Sequence, residues 1–81
     1  MLRATFDPAR LLALRKDRDY SVQDVARLLF KNQNFTLTPQ AIYNHENGLY
    51  QPTLEVVRAY AVLFGVTPDS LCTNVSPFDQ S

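Results

Sequence analysis

Three dipeptides constrain this chain more than anything else in it: Asp7-Pro8, Thr38-Pro39 and Thr67-Pro68. Each puts a side-chain oxygen immediately before a proline. Proline at the first helical position has its φ preset and gives up an N–H that would lack a partner there, and the preceding oxygen accepts from the orphan amides of the first turn. Ser21 and Thr53 are two further caps, and Ser21 has Asp24 three residues on, a variant of the capping box. Both glycines, Gly48 and Gly65, fall where a helix would end in a left-handed conformation. These starts and stops predict five helices, over about Pro8–Asp17, Val22–Phe30, Pro39–Asn47, Leu54–Phe64 and Pro68–Cys72.

The apolar spacing assigns their inner faces. Leu11, Leu12 and Leu14 face inward from the first helix. Val22, Val25, Ala26 and Leu29 form an i, i+3, i+4, i+7 stripe on the second. Leu54, Val57, Tyr60, Ala61 and Phe64 face inward from the fourth, and Leu71 anchors the fifth. No segment shows strand-like alternation, low complexity or an internal repeat. The expected fold class is therefore all-α: one domain over residues 1–81, with a short arm at 1–6 and a tail at 74–81.

With 46% hydrophobic and 20% charged residues, the 81-residue chain has an ordinary globular composition, near the lower size limit for a core without staples. The single cysteine, Cys72, cannot form an internal disulfide and reads as a small half-buried hydrophobe. One His and one Cys cannot make a structural zinc site, so neither a metal nor another cofactor is expected. The same scarcity argues against an enzyme, because no catalytic constellation can be assembled from these residues. No apolar run approaches the roughly 20 residues of a membrane span. The first residues, MLRATFDPAR, hold a proline and charges where a signal peptide needs an apolar stretch, so a cytoplasmic setting is expected.

Net charge is zero, but its distribution is not even. Residues 1–31 carry seven basic side chains against four acidic ones, and residues 32–81 carry only Arg58 against four acids. A neutral chain can therefore still present a basic face.

The third predicted helix is the unusual one. In LTPQAIYNHENG, start and stop lie barely two turns apart, and only Ala41 and Ile42 are clearly apolar. Isolated helices below roughly 12–15 residues are marginal in water, so this one must be carried by packing. Ile42 and Ala41 are expected to face the second helix, with small Ala26 at the crossing and His45 half-packed at the helix end. Thr38, Gln40, Tyr43 and Asn44 then face outward. Two helices joined by a turn, the second polar outside, is the layout of a helix-turn-helix, whose second helix lies in the DNA major groove. The outer chemistry suits that task. Gln40 and Asn44 carry amides that can pair with the N6/N7 edge of adenine, and Tyr43 offers a ring for a thymine methyl.

The order SVQDVARLL … LTPQAIYNHENGLYQPTLEVVRAYAVLFGVTPDSL resembles the lambda-repressor-like, Cro/repressor-type helix-turn-helix family over roughly Pro8–Leu71. The fragments ENG, PTLEVV and LFGVTPDSL, with RLLALRKDRDYS upstream, carry the likeness. The resemblance implies a five-helix DNA-binding domain with Thr38, Gln40, Ala41, Tyr43 and Asn44 at base-contacting positions. It places Asn47 and Gly48 on a phosphate-contacting loop, and Arg15 and Glu46 as an ion pair joining the first helix to the third.

Three departures from the family pattern matter. Residues 30–38, FKNQNFTLT, insert about six residues where relatives have a tight turn, and loops accept such insertions cheaply. The second helix then runs a further turn or a loop projects, bringing Lys31 to a phosphate, or else Phe30 or Phe35 tucks into the core. Val22 stands where many relatives begin the second helix with glutamine. Leu49, Tyr50 and Gln51 replace the usual basic residues after ENG, leaving Tyr50 as the expected phosphate contact there. Phosphate contacts supply much of non-specific affinity, so a single half-site should bind weakly and a homodimer on double-stranded DNA is expected. Leu71, Val75 and Phe78 are the expected dimer surface. The function implied is a sequence-specific transcriptional regulator, of phage-repressor or antitoxin type. The alternative is a protein-interaction module on the same fold with little DNA affinity, favoured by the neutral charge.

Overall fold

The computed structural model describes residues 3–75, in the order β1 (Arg3–Phe6), α1 (Pro8–Asp17), α2 (Val22–Gln33), α3 (Pro39–Glu46), α4 (Leu54–Phe64), a 3₁₀ turn (Pro68–Leu71) and β2 (Cys72–Val75). Four of the five expected caps form their side-chain bonds. The Asp7 carboxylate accepts from the Ala9 and Arg10 amides, Thr38 from Ala41 and Thr53 from Val56. At α2 the capping box closes in both directions between Ser21 and Asp24. The Ser21 backbone N–H, followed by the Arg27 side chain, holds the Asp24 carboxyl below the usual carboxylate range.

The all-helical expectation needs two corrections. The Thr67 side chain makes no cap bond, and Pro68–Leu71 winds as one 3₁₀ turn instead of a fifth α-helix. Four residues cannot establish an i→i−4 ladder, and the turn closes through the Cys72 N–H donating to the Asp69 carbonyl. The second correction is a two-stranded antiparallel sheet of β1 and β2, pairing Arg3 with Val75 and Phe6 with Cys72. The Asp7 N–H, donating 2.8 Å to the Leu71 carbonyl, continues that pairing into the 3₁₀ turn.

The core gathers Phe6, Leu11, Leu14, Val25, Leu29, Ile42, Val57, Ala59, Tyr60, Ala61, Phe64 and Leu71. Burying an aliphatic or aromatic side chain of this size stabilises by about 1.5–3 kcal/mol, so this cluster is the main source of stability. Leu54, expected inward, is instead 60% exposed at the first position of α4, and Ala59 takes a core place. Leu12 is half-buried. Gly65 closes α4 at φ +68°. Gly48 sits at φ +71° beyond α3, where the demand is backbone conformation, since an added Cβ would meet Pro8 only at 3.7 Å.

The 30–38 insertion divides into two parts. α2 runs on to Gln33, whose Nε2 donates 3.0 Å to the Ala59 carbonyl of α4, and Asn34 ends the helix in the left-handed region at φ +54°. The chain then returns in extended form, with Phe35 and Leu37 packed against the core. Phe30 stays 58% exposed. Of the two aromatic residues, Phe35 is therefore the one tucked in.

Candidate nucleic-acid interface

The eight residues of α3 pack against α2 and α1. Ile42 is 0% exposed and joins the core cluster of Val25 and Leu29, while Ala41 and Ala26 are half-buried. That leaves Thr38, Gln40 and Tyr43 exposed and Asn44 half-buried. The outer side chains are partly organised before any ligand arrives. Gln40 Nε2 donates to Asn44 Oδ1 at 3.0 Å, as its i+4 spacing on a helix allows.

Beyond α3, Asn47 Nδ2 bends back to donate 2.8 Å to the Tyr43 carbonyl, and Gly48, Leu49 and Tyr50 are exposed. Lys31 is exposed on the last turn of α2. A shallow groove of about 270 Å³ separates the starts of α2 and α3, lined by Val22, Gln23, Pro39, Gln40 and Tyr43. Gln23 had no assigned role in the sequence. Its signal was its place as the second residue after the Ser21 cap, an exposed amide at a helix start beside α3.

Two buried polar contacts hold the inner side of α3. Arg15 of α1 meets Glu46 with both arms of its fork, Nε to Oε2 at 2.6 Å and Nη2 to Oε1 at 2.9 Å. Its remaining Nη1 donates 2.8 Å to the Tyr20 carbonyl. The hydrogen bond to Glu46 holds the guanidinium pKa above its ordinary value against the opposing effect of burial. A carboxylate at a helix C-terminus faces an unfavourable dipole, and a bidentate arginine offsets it.

His45 is buried rather than half-packed, with Nδ1 2.7 Å from the Tyr60 hydroxyl and the rings edge to face at 5.9 Å. Burial, then the Glu46 carboxylate, pushes the Tyr60 hydroxyl well above its ordinary pKa, so it stays protonated. Burial lowers the His45 pKa. Above the ordinary histidine value both folded and unfolded chains carry His45 neutral, and it adds no pH dependence. As pH falls below about 6.5, the unfolded chain binds a proton that the folded chain resists, so stability drops until the depressed folded pKa is reached. Denaturant unfolding at pH 7.5 and 5.5 should show a smaller loss for His45→Gln than for the parent. Equal losses would remove His45 as the source.

Leu71, expected on a dimer surface, is 0% exposed within its own protomer's core and cannot serve there. Its apolar side chain is already consumed by packing under α4 and α1. Val75 ends β2, and Phe78, with the tail from 76 on, lies outside the described residues. Instead, exposed apolar surface follows α3: Leu49 is 64%, Tyr50 66% and Leu54 60% exposed. Leu54 also lines a cleft of about 210 Å³ with Phe6, Pro52, Pro68 and Cys72.

A family model described as helix-turn-helix matches residues 11–71, most of the chain. The chain belongs to the Cro/C1-type helix-turn-helix family. Membership suggests a DNA-binding transcription regulator and not an enzyme. Comparison with curated proteins and with solved structures gave no match. None of the described helices is long and apolar enough to cross a membrane.

Proposed function

We propose that this helix-turn-helix protein is a sequence-specific transcriptional regulator, of repressor or antitoxin type, acting in the cytoplasm. α2 and α3 form the helix-turn-helix, and α3 reads the major groove through Thr38, Gln40, Ala41, Tyr43 and Asn44. The observation that carries this reading is the division of α3 itself. Ile42, His45 and Glu46 are buried and polar contacts tie the last two inward, while hydrogen-bonding side chains suited to base edges cover the opposite face. Phosphate contacts come from Lys31, Asn47, Gly48 and Tyr50, with Gln23 and the first amides of α2 beside the groove. A helix N-terminus offers N–H groups to a phosphate even where Val22 replaces glutamine.

Only one cation in this set, Lys31, touches phosphate, so one half-site gives little affinity. The protein therefore acts as a homodimer on two half-sites, recognition helices about 34–36 Å apart. Selection from a random duplex pool, followed by footprinting, should give a twofold-symmetric consensus with protections one helical turn apart. An asymmetric consensus with a single protected patch would exclude the dimer.

One observation favours the second reading, a protein-interaction module. Leu49, Tyr50 and Leu54 present apolar surface next to α3, in a chain of zero net charge. If the pool yields no enriched duplex at low salt, where phosphate contacts are strongest, that reading takes precedence.

A further inference from the structure

We propose that Gln40 and Asn44 read two neighbouring base pairs as one wired unit, Gln40 taking an adenine and Asn44 the acceptor edge of a keto base, guanine or thymine, beside it. The proposal rests on the reading of α3 as the major-groove helix and goes beyond it by dividing the recognition between two amides.

The argument starts from the direction of one hydrogen bond. Side chains on a helix lean toward its N-terminus, so the amide of Asn44 leans toward that of Gln40 one turn earlier. Gln40 Nε2 is the donor and Asn44 Oδ1 the acceptor, at 3.0 Å. A primary amide nitrogen has one N–H beside its own carbonyl oxygen and one directed away from it. Adenine's N6/N7 edge engages the amide oxygen together with the adjacent N–H. The bond to Asn44 can use the other N–H. The adenine-reading edge of Gln40 thus stays open, and a side chain with many rotamers is held in place by its neighbour.

The same bond gives Asn44 the complementary role. Its oxygen is engaged by Gln40, and what it presents outward is Nδ2 with two donors. Two donors match guanine O6 and N7 together, or thymine O4; cytosine N4 offers no acceptor, and adenine offers N7 alone, beside the opposing N6 donor. Asn44 is half-buried, which limits its swing, whereas Gln40 is exposed and would wander without the tether. The Thr38 cap and Pro39 fix the backbone from which Gln40 projects. Finally, two amides in direct hydrogen bond lie too close together to skip a base pair at a rise of about 3.4 Å, so the pair addresses adjacent steps.

The test is selection from a random duplex pool with the parent and with Asn44→Ala, Asn44→Asp and Gln40→Ala, each checked for an unchanged melting temperature. The parent should enrich an adenine next to a keto base. A bidentate pair discriminates by roughly 5- to 150-fold. Asn44→Ala should abolish the keto preference and also weaken adenine discrimination by roughly fivefold, because Gln40 has lost its tether. Asn44→Asp keeps the acceptor for Gln40 and replaces the donors with an acceptor. It should retain adenine and switch its neighbour to an amino base, cytosine or adenine. Gln40→Ala should lose the adenine preference. Asn44→Ala with adenine discrimination at the parent level, or Asn44→Asp with the keto preference intact, would overturn the wiring while leaving the DNA-binding reading in place. So would a parent consensus lacking the adenine–keto step. A parent that enriches no duplex would overturn both.

Discussion

Glu46→Ala should unfold at a markedly lower denaturant concentration than the parent, with a loss of about 3–5 kcal/mol. The Glu46 side chain is 2% exposed and that of Arg15 16%, and both arms of the guanidinium fork are engaged on the carboxylate. Deleting the carboxylate strands a guanidinium whose remaining hydrogen-bond partner among the described residues is the Tyr20 carbonyl. The loss therefore measures an uncompensated charge more than the worth of the pair. That distinction has its own test. Replacing both partners with apolar residues, Arg15→Met with Glu46→Leu, should recover most of what Glu46→Ala loses, because neither charge is then left alone. Glu55→Ala, on the exposed first turn of α4, provides the scale for an ordinary surface change, within about 0.5 kcal/mol. If Glu46→Ala costs no more than Glu55→Ala, the ion pair does not hold α3 to α1.

The pair also illustrates which features a sequence exposes to reading. Caps are legible because their chemistry is local: Ser21 and Asp24, or Thr53 and the Val56 amide, need only each other and three residues of backbone. The inward stripe of α2 is legible for the same reason. The Arg15–Glu46 contact joins residues distant in the chain and was accessible only through family likeness. Features fixed by tertiary context were not accessible. β1, Arg-Ala-Thr-Phe, alternates polar and apolar only over the four-residue minimum, β2, Cys-Thr-Asn-Val, does not alternate, and the two meet across opposite ends of the chain. Gln33 lies in the insertion, where the sequence leaves a further turn of α2 and a projecting loop both open, and only the fold brings the Ala59 carbonyl of α4 to it.

Helix periodicity also misjudged Leu54. A position at the very start of a helix can satisfy the apolar spacing and still project past the core, and Leu54 does. Tyr60 was read correctly as inward, but its hydroxyl required a buried partner, and only the fold brings His45 to it. On the proposed recognition surface the outward residues of α3 follow from pattern alone. The bond from Gln40 to Asn44 does not, since i+4 spacing permits contact without choosing which amide donates.

Ile42→Ala should be the most damaging single change to the proposed recognition surface, although Ile42 touches no DNA in any reading of the site. Large-to-small substitutions of a fully buried aliphatic residue cost about 2–5 kcal/mol, against a total stability of about 5–15 kcal/mol for a domain of this kind. Ile42 is 0% exposed and is the apolar anchor of an eight-residue helix that cannot persist alone. The loss should therefore be local as well as global. Amide exchange in α3 should accelerate more than in α1 or α4, and duplex binding should fall further than the unfolded fraction explains. Leu71→Ala is the matched control: also 0% exposed, but in the 3₁₀ turn and not in α3. It should lose comparable stability yet bind duplex at the parent's affinity once binding is referred to the folded fraction. If the two variants lose DNA binding equally on that basis, α3 has no special dependence on Ile42. If Ile42→Ala costs under about 1 kcal/mol, the seat of α3 lies in its polar contacts with Arg15 and Tyr60 instead.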